Sequence, residues 1–238
     1  MTWEQTWDII LKSGAKLWKV DDMQVKEKAL ARIVEYADGG SSDDKKRLYI
    51  FCPLAGDDQF VHCAWSQGHH VVAMDVVPAA VAAMRQQFGP DDDWRSETIG
   101  SDNQEESLSF VVWKHKSDRA TLVQGDLFQA SSLLPLSLSW HGRFDAIYDK
   151  DAFGALQPKM RRLYCDQLAT YTKPGAIVYT EVKNKEDTTS GPPFHIEKTD
   201  LVEESNFGGH FDHVLSLGEV YPIQIPNMIQ TGHILRRR

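Results

Sequence analysis

The sequence predicts an α/β fold in which helices cover both faces of a mainly parallel β-sheet. Between residues 47 and 182, short apolar segments alternate with helical ones. Such alternation is typical of parallel strands joined by helices, and strands that are buried on both faces are apolar along their length. A chain of 238 residues is long enough to bury a core of this kind without disulfide or metal support.

The N-terminal part of the chain predicts two helices. Trp3 and Trp7 are four residues apart and would share one face of a first helix. Gly14 suits the end of this helix, because glycine adopts the left-handed C-cap conformation without penalty. A second amphipathic segment covers residues 24–36, and the turn-forming residues 38–46 separate it from the sheet.

The alternation then runs in order along the chain. Apolar runs bounded by turn residues predict the strands, and apolar residues at helical spacing predict the helices, with Pro78 well placed in a first helical turn. The strands cover residues 47–53, 70–75, 120–127, 144–149 and 176–182, the helices cover residues 57–67, 78–88 and 158–171, and a terminal strand pair covers residues 211–219 and 230–236.

One segment interrupts the alternation. Residues 89–109 are rich in Gly, Pro, Ser and acidic side chains, a composition typical of a surface loop. Residues 110–114 are more apolar and leave room for an additional strand. We therefore predict a surface insertion over residues 89–119, within a single domain that spans residues 1–238.

Composition and charge exclude several classes of protein. The 34 acidic and 26 basic residues give a net charge of -8, whereas a nucleic-acid-binding protein would need a basic face. The mean hydropathy of -0.41 and the lack of an apolar run of about 18 residues argue against a membrane span. The N-terminus lacks the layout of a secretory signal, and three scattered cysteines fit a reducing compartment better than a disulfide framework or a metal site. These features predict a cytoplasmic monomer without a metal ion.

The segment from the first strand to the second predicts a nucleoside site. Gly56 lies in the first strand-to-helix turn, where a glycine lets a ligand approach the backbone closely. Asp75 ends the second strand about 20 residues further on, where an acidic side chain is placed to bind both ribose hydroxyls. The competing interpretation is that Gly56 and Asp75 form only a turn and a cap.

The same turn argues against a dinucleotide. A dinucleotide site needs a G-x-G-x-x-G sequence to hold the pyrophosphate, and this turn has one glycine. Asp57 and Asp58 open the predicted helix, and their carboxylates would repel a pyrophosphate. A nicotinamide-dependent oxidoreductase is therefore disfavoured, whereas S-adenosylmethionine, a cationic nucleoside without phosphate, is compatible with the turn.

The ends of the third and fourth strands support that cofactor. Asp126 follows the third strand and can accept a hydrogen bond from the adenine amine, while Leu127 can cover the ring. Asp149 and Lys150 end the fourth strand as a charged pair near the methyl-bearing end. Acidic residues at three successive strand ends, after a single-glycine turn, are typical of class I methyltransferases.

Four motifs of the chain resemble those of one family. They are FCPLAGD at residues 51–57, QGHHVVAMD at 67–75, FDAIYDKDA at 144–152 and GPPF at 191–194. Together with the tryptophan-containing N-terminus, they make the chain resemble the thiopurine S-methyltransferase family over residues 3–195. The resemblance implies a class I, Rossmann-like methyltransferase fold with a seven-stranded, mainly parallel sheet, helices on both faces and an antiparallel last strand.

The resemblance also implies roles for individual residues. Residues 1–46 would form a helical lid whose tryptophans fold over the cofactor. Trp7 and Trp18 are the expected pair, with Trp3 as an alternative because the register of the tryptophans is open. For the cofactor, the resemblance implies contacts of Leu54 and Gly56 with the methionine part, of Asp75 with the ribose, and of Asp126 and Leu127 with the adenine. Lys150 would contact the cofactor and would also act on the acceptor as the catalytic side chain. Trp18, Pro192 and Pro193 would contact the acceptor.

Two positions depart from the usual pattern of the family. Lys150 stands where arginine is usual, and lysine keeps the charge but lacks the planar fork. A small anionic acceptor needs only the positive charge of the lysine. It is therefore favoured over a flat heteroaromatic acceptor, which would be bound through the planar guanidinium group of an arginine. Asp75 stands where glutamate is more usual and has a shorter reach to the same hydroxyls.

The expected activity is methyl transfer from S-adenosylmethionine to sulfur on a small-molecule acceptor, leaving S-adenosylhomocysteine. Thiols, thiopurine-like compounds, thiocyanate and halide are the candidate acceptors. The alternative, which the lysine at position 150 motivates, is a catalytically silent S-adenosylmethionine-binding protein of the same fold.

Overall fold

The computed structural model describes residues 20, 22–37, 47–100, 109–133 and 140–238. These residues form a nine-stranded sheet with helices packed on both faces. The strands are β1 (Tyr49–Cys52), β2 (His70–Asp75), β3 (Trp94–Gly100), β4 (Ser109–His115), β5 (Ala120–Gln124), β6 (Phe144–Lys150), β7 (Thr172–Lys185), β8 (Phe211–Tyr221) and β9 (Met228–Arg237). The α-helices are α1 (Met23–Ala37), α2 (Phe60–Ser66), α3 (Pro78–Gln86), α4 (Leu127–Leu133), α5 (Ala152–Ala155), α6 (Pro158–Tyr171) and α7 (Lys198–Val202). None of these helices has the length and apolar composition that crossing a membrane requires.

The strand order places β1 in the middle of a parallel sheet. The order is β3-β4-β5-β2-β1-β6-β7-β9-β8, and the five strands from β5 to β7 run parallel. Strand β9 is antiparallel to β7, and β8 is antiparallel to β9. The order reverses at β1, and the carboxyl ends of strands at such a point are where open α/β sheets bind ligands. The predicted α/β class with a mainly parallel sheet is confirmed.

The predicted number of seven strands is wrong, because β3 and β4 extend one edge of the sheet. They pair antiparallel with each other, and β4 pairs antiparallel with β5. The additional strand over residues 110–114 is thus present as β4, whereas the loop expected over residues 89–109 contains β3. As the outermost strand, β3 buries only Trp94, so its sequence lacks the apolar alternation of a half-buried strand. Without this extension the order is β5-β2-β1-β6-β7-β9-β8.

The strand side chains alternate between two apolar cores. Phe51 points into the core beneath α4 and α6, where its ring centroid lies 5.0 Å from that of Phe144 and 5.1 Å from that of Trp140. Its neighbours Ile50 and Cys52 point into the opposite core, which α1, α2 and α3 cover. The central strands are therefore buried on both faces, as their apolar sequences predict.

A buried ion pair holds α1 to the turn after β1. Lys26 lies on the inner face of α1, and its side chain is 1% exposed. Its ammonium lies 2.7 Å from Oδ2 of Asp58, whose side chain is 14% exposed. The other oxygen of Asp58 accepts the backbone N–H of Phe60 at 2.8 Å. The pair fixes the position of α1, because separating its members would leave an uncompensated charge inside the protein.

Replacing Lys26 with methionine is expected to lower the free energy of unfolding by about 3 kcal/mol, because Asp58 loses its buried counter-ion. Methionine keeps most of the apolar packing of the lysine stem, and urea denaturation measures the change. The matched control is Arg32→Met on the same helix, whose exposed pair with Glu35 contributes at most about 0.5 kcal/mol. Equal losses in the two variants would contradict this prediction.

Candidate active site

A cleft lies at the carboxyl ends of β1, β2, β6 and β7. Its walls come from the turn after β1, the end of β2, the junction of β6 with α5, and the segment that follows β7. The lining residues are Cys52, Pro53, Leu54, Ala55, Gly56, Asp57, Asp58, Val61, Asp75, Val76, Tyr148, Lys150, Asp151, Ala152, Ala155, Lys183 and Pro193.

The turn after β1 has an unusual backbone. Leu54 (φ 46°) and Gly56 (φ 57°) both adopt the left-handed conformation, which suits glycine and strains leucine. Helix α2 begins later than predicted, so Asp57 and Asp58 lie in the turn rather than in the helix. Both residues line the cleft and place two carboxylate side chains on this side of it.

Asp75 joins this turn to the end of β2. One carboxylate oxygen accepts the backbone N–H of Gly56 at 2.8 Å, and the other accepts that of Val77 at 2.9 Å. Burial raises the pKa of Asp75, although the amide hydrogen bonds oppose the shift. Each carboxylate oxygen has two acceptor sites, so Asp75 can also accept hydrogen bonds from ligand hydroxyls.

On the β6 and β7 side of the cleft, two buried lysines share one carboxylate. Lys150 Nζ lies 3.1 Å and Lys183 Nζ lies 3.3 Å from the same oxygen, Oδ2, of Asp151. The amide of Gln230 donates to the other oxygen of Asp151 at 2.9 Å and accepts a hydrogen bond from Lys183. This arrangement links β6 and α5 to β7 and β9.

Burial affects the two lysines differently. Burial would lower the pKa of Lys150, but the carboxylates of Asp151 and Asp58 outweigh it, and the pKa is raised above its ordinary value. For Lys183 burial prevails, and the pKa is lowered. Burial would raise the pKa of Asp151, but the two ammonium groups outweigh it and lower the pKa. Lys150 and Asp151 are therefore both ionised near neutral pH.

Tyrosine hydroxyls surround a buried carboxylate behind the lysines. Glu181 is fully buried, and its two oxygens accept hydrogen bonds from Tyr179 at 3.1 Å and from Tyr221 at 2.6 Å. Burial raises the pKa of Glu181. Tyr148 lines the cleft and is 2% exposed, and its hydroxyl has no hydrogen-bond partner among the described residues.

The segment after β7 is tied down by a third lysine. Lys185 Nζ donates to the carbonyl and the hydroxyl of Ser190 and to the carbonyl of Pro193, at 2.8 to 2.9 Å. The backbone N–H of Phe194 donates to the carbonyl of Gly154 at 2.8 Å. These bonds hold Pro193 against the cleft.

Comparison with known proteins identifies the family. The family model described as thiopurine S-methyltransferase matches residues 4–215. The chain belongs to this family. A thiopurine S-methyltransferase from Legionella pneumophila (strain Corby) is 26% identical over 177 residues, which cover 74% of this chain and 71% of the relative. A thiopurine S-methyltransferase from Bos taurus is 25% identical over 195 residues, with 72% of each chain covered.

Solved structures share the fold of this family member at low identity. A Burkholderia thailandensis 1,6-didemethyltoxoflavin-N1-methyltransferase with bound S-adenosylhomocysteine has a TM-score of 0.60 and 17% identity, covering 100% of this chain and 91% of that one. The [4+2]-cyclase SpnF has a TM-score of 0.60 and 11% identity, covering 98% and 94%. These likenesses establish the fold alone. The family, together with this fold, makes the protein an S-adenosylmethionine-dependent methyltransferase.

Five of the predicted site residues line the cleft of this methyltransferase. They are Leu54, Gly56, Asp75, Lys150 and Pro193. Trp7 and Trp18, with the alternative Trp3, lie outside the described residues. Pro192 precedes a lining residue but is not itself part of the described wall. The roles predicted for all of these residues stay predictions.

Asp126 and Leu127 lie beside the cleft rather than in its wall. The backbone N–H of Gly125 donates to the carbonyl of Asp75 at 3.0 Å, which places both residues next to the end of β2. Asp126 Oδ1 accepts the backbone N–H of Phe128 at 2.9 Å and so caps α4, while Leu127 packs into the core. Their predicted contacts with the adenine stay predictions.

Asp151, Lys183 and Tyr148 line the cleft but are not among the site residues predicted from the sequence. A signal for Lys183 was present, because Glu181 and Lys183 are charged residues at alternate positions of an otherwise apolar strand. Both side chains are buried in the assembled sheet, which sequence periodicity does not show.

Asp149 does not form the predicted charged pair with Lys150. Successive strand residues face opposite sides of the sheet, so Lys150 lines the cleft while Asp149 lies in the core beneath α6. Its oxygens accept hydrogen bonds from the Tyr164 hydroxyl at 2.8 Å and the Phe153 N–H at 3.2 Å. Burial raises the pKa of Asp149 to about 7 despite these bonds.

The stabilisation that Asp149 provides is expected to fall as the pH rises. Because its pKa is about 7 in the folded protein and lower in the unfolded chain, the folded state binds the proton more tightly. This contribution is complete below the unfolded pKa and is lost as the pH rises to about 7. From about pH 5 to about pH 8 the loss amounts to about 2 to 3 kcal/mol.

Asp149→Asn removes this titration and serves as the reference protein. The free energy of unfolding of Asp149→Asn minus that of the wild type is expected to rise by about 2 to 3 kcal/mol from about pH 5 to about pH 8. Chemical denaturation at each pH gives the difference. A difference that does not change with pH would show that Asp149 ionises normally.

Proposed function

We propose that this enzyme methylates the sulfur of a small-molecule acceptor. Its relatives in Legionella pneumophila and Bos taurus are both named thiopurine S-methyltransferase. The observation that carries the proposal is the buried Lys150 ammonium, held by Asp151 in the cleft wall. A thiolate is the nucleophilic form of sulfur, and a neighbouring ammonium favours it.

The cleft suits S-adenosylmethionine on the side formed by β1 and β2. Asp75 retains acceptor sites for hydroxyls, and Gly56 presents backbone without a side chain. The carboxylates in the turn suit a cationic ligand. When bound, the cofactor supplies an electrophilic methyl group on a sulfonium. We assign Leu54 and Gly56 to the methionine part, Asp75 to the ribose, and Asp126 and Leu127 to the adenine.

Lys150 lies beside the cofactor in this proposal and acts on the acceptor. Its charge lowers the pKa of a nearby thiol, so a separate general base is not needed. The transfer replaces the acceptor S–H by S–CH3, the sulfonium becomes a thioether, and the proton passes to solvent. Opposite charges are neutralised in this reaction, which a site shielded from water favours. The chain otherwise contributes by holding the reacting atoms in line.

The remaining walls are assigned from the family resemblance. We propose that Trp7 and Trp18 fold over the cofactor and that Trp18, Pro192 and Pro193 enclose the acceptor. Tryptophan faces also attract a sulfonium through cation–π interaction. The cytoplasmic location stays a prediction from composition, and the monomeric state stays a prediction.

Asp75→Asn is expected to weaken binding of S-adenosylhomocysteine by about 10- to 100-fold, because the ribose loses a charged hydrogen-bond acceptor. Isothermal titration calorimetry measures the dissociation constant. The matched control is Asp145→Asn, since Asp145 also accepts a backbone N–H, that of Tyr49, but near the amino end of its strand, away from the cleft. If both variants bind like the wild type, Asp75 does not hold the cofactor.

Lys150→Met is expected to lower kcat/KM for thiol acceptors by at least about tenfold, because a nearby positive charge no longer favours the thiolate. A panel of thiols, a thiopurine, thiocyanate and iodide is tested with methyl-labelled S-adenosylmethionine. Lys150→Arg, which supplies the usual family residue, should retain activity. Cofactor binding without methylation of any acceptor would favour the silent binding protein.

A further inference from the structure

Lys183 stands on the acceptor side of the cleft. The pairing of β6 with β7 ends where Lys150 lies opposite Glu181, so β7 carries Lys183 beyond the end of β6. Side chains alternate along a strand, which puts Lys183 on the same face as Glu181. Lys183 lines the cleft together with Pro193.

The ammonium of Lys183 retains hydrogen-bonding capacity. An ammonium has three N–H donors. Lys183 contacts Asp151 and Gln230, and no third partner lies within the part of the chain that the structure describes. One donor is therefore available to a molecule in the cleft, although the side chain is buried.

Neither of the two carboxylates that act on Lys183 serves it alone. Asp151 is shared with Lys150, and Glu181, which acts on both lysines, already accepts hydrogen bonds from Tyr179 and Tyr221. Burial lowers the pKa of Lys183, whereas the pKa of Lys150 is raised despite its burial. A lowered pKa is expected for the ammonium group that has less negative charge around it, which is Lys183. A ligand anion on the same side of the cleft would stabilise the ammonium of Lys183 further.

We propose that the acceptor carries a carboxylate in addition to its sulfur and that Lys183 binds this carboxylate. This inference rests on the proposed methylation of sulfur. Lys150 then faces the sulfur, and Lys183 holds the other end of the molecule. The substrate class is small thiols that bear a carboxylate. Such an anion needs a charged donor and not a planar guanidinium fork, in keeping with lysine at both positions.

The test compares a carboxylate with its uncharged ester. Using calorimetry, 3-(methylthio)propionate and its methyl ester are titrated into the full-length enzyme saturated with S-adenosylhomocysteine. The acid is expected to bind at least about tenfold more tightly than the ester, since a hydrogen bond between charged groups is involved. Lys183→Met should abolish the preference, and Lys183→Arg should retain most of it.

Lys173→Met is the matched control, because Lys173 is also paired with a carboxylate, Asp145, but at the amino ends of β6 and β7. This variant should keep the preference for the acid. Equal affinity of the acid and the ester for the wild-type enzyme, or no binding of either, would overturn the proposal. So would a preference that persists in a folded Lys183→Met protein, with folding checked by near-ultraviolet circular dichroism.

Turnover separates this proposal from the proposed function. The same proteins are assayed with 3-mercaptopropionate and its methyl ester as acceptors. A higher kcat/KM for the acid, lost in Lys183→Met, supports both proposals. If calorimetry shows the acid preference but neither thiol is methylated, the carboxylate site stands and the methylation of such thiols is refuted.

Discussion

Charge buried beneath the cleft is the constraint on which the rest of the site depends. An ammonium removed from water is strongly destabilising unless a carboxylate lies against it. Lys26 meets Asp58 across the interface of α1 with the turn after β1, and Asp151 accepts contacts from Lys150 and Lys183 on two neighbouring strands. The contacts that make these charges tolerable also position three walls of the cleft.

The two sides of the cleft carry different charged groups. The β1 and β2 side presents Asp57 and Asp75, whereas the β6 and β7 side presents two ammonium groups around Asp151. A cationic cofactor and an anionic acceptor would each be attracted to the side that suits them. Under the proposed function, charge complementarity of this kind would favour ionised sulfur over a neutral acceptor, without a separate base.

The fold alone does not decide the reaction. Proteins with a TM-score of 0.60 to this chain include an N-methyltransferase and a [4+2]-cyclase. The chemistry of such folds resides in the side chains at the strand ends. In this chain those side chains include Lys150 and Lys183, which share the carboxylate of Asp151.

Local sequence determined the central strands, the single-glycine turn and the acidic end of β2, because apolar runs and turn residues act over a few neighbouring positions. It did not reveal β3, whose side chains are mostly solvated at the sheet edge, and it placed Asp149 beside Lys150 although the pleat separates them. Only the tertiary structure decided that Lys183 is buried and shares Asp151 with Lys150, since those contacts join strands far apart in the chain. Burial and charge compensation are properties of the assembled sheet, and no periodicity within one strand encodes them.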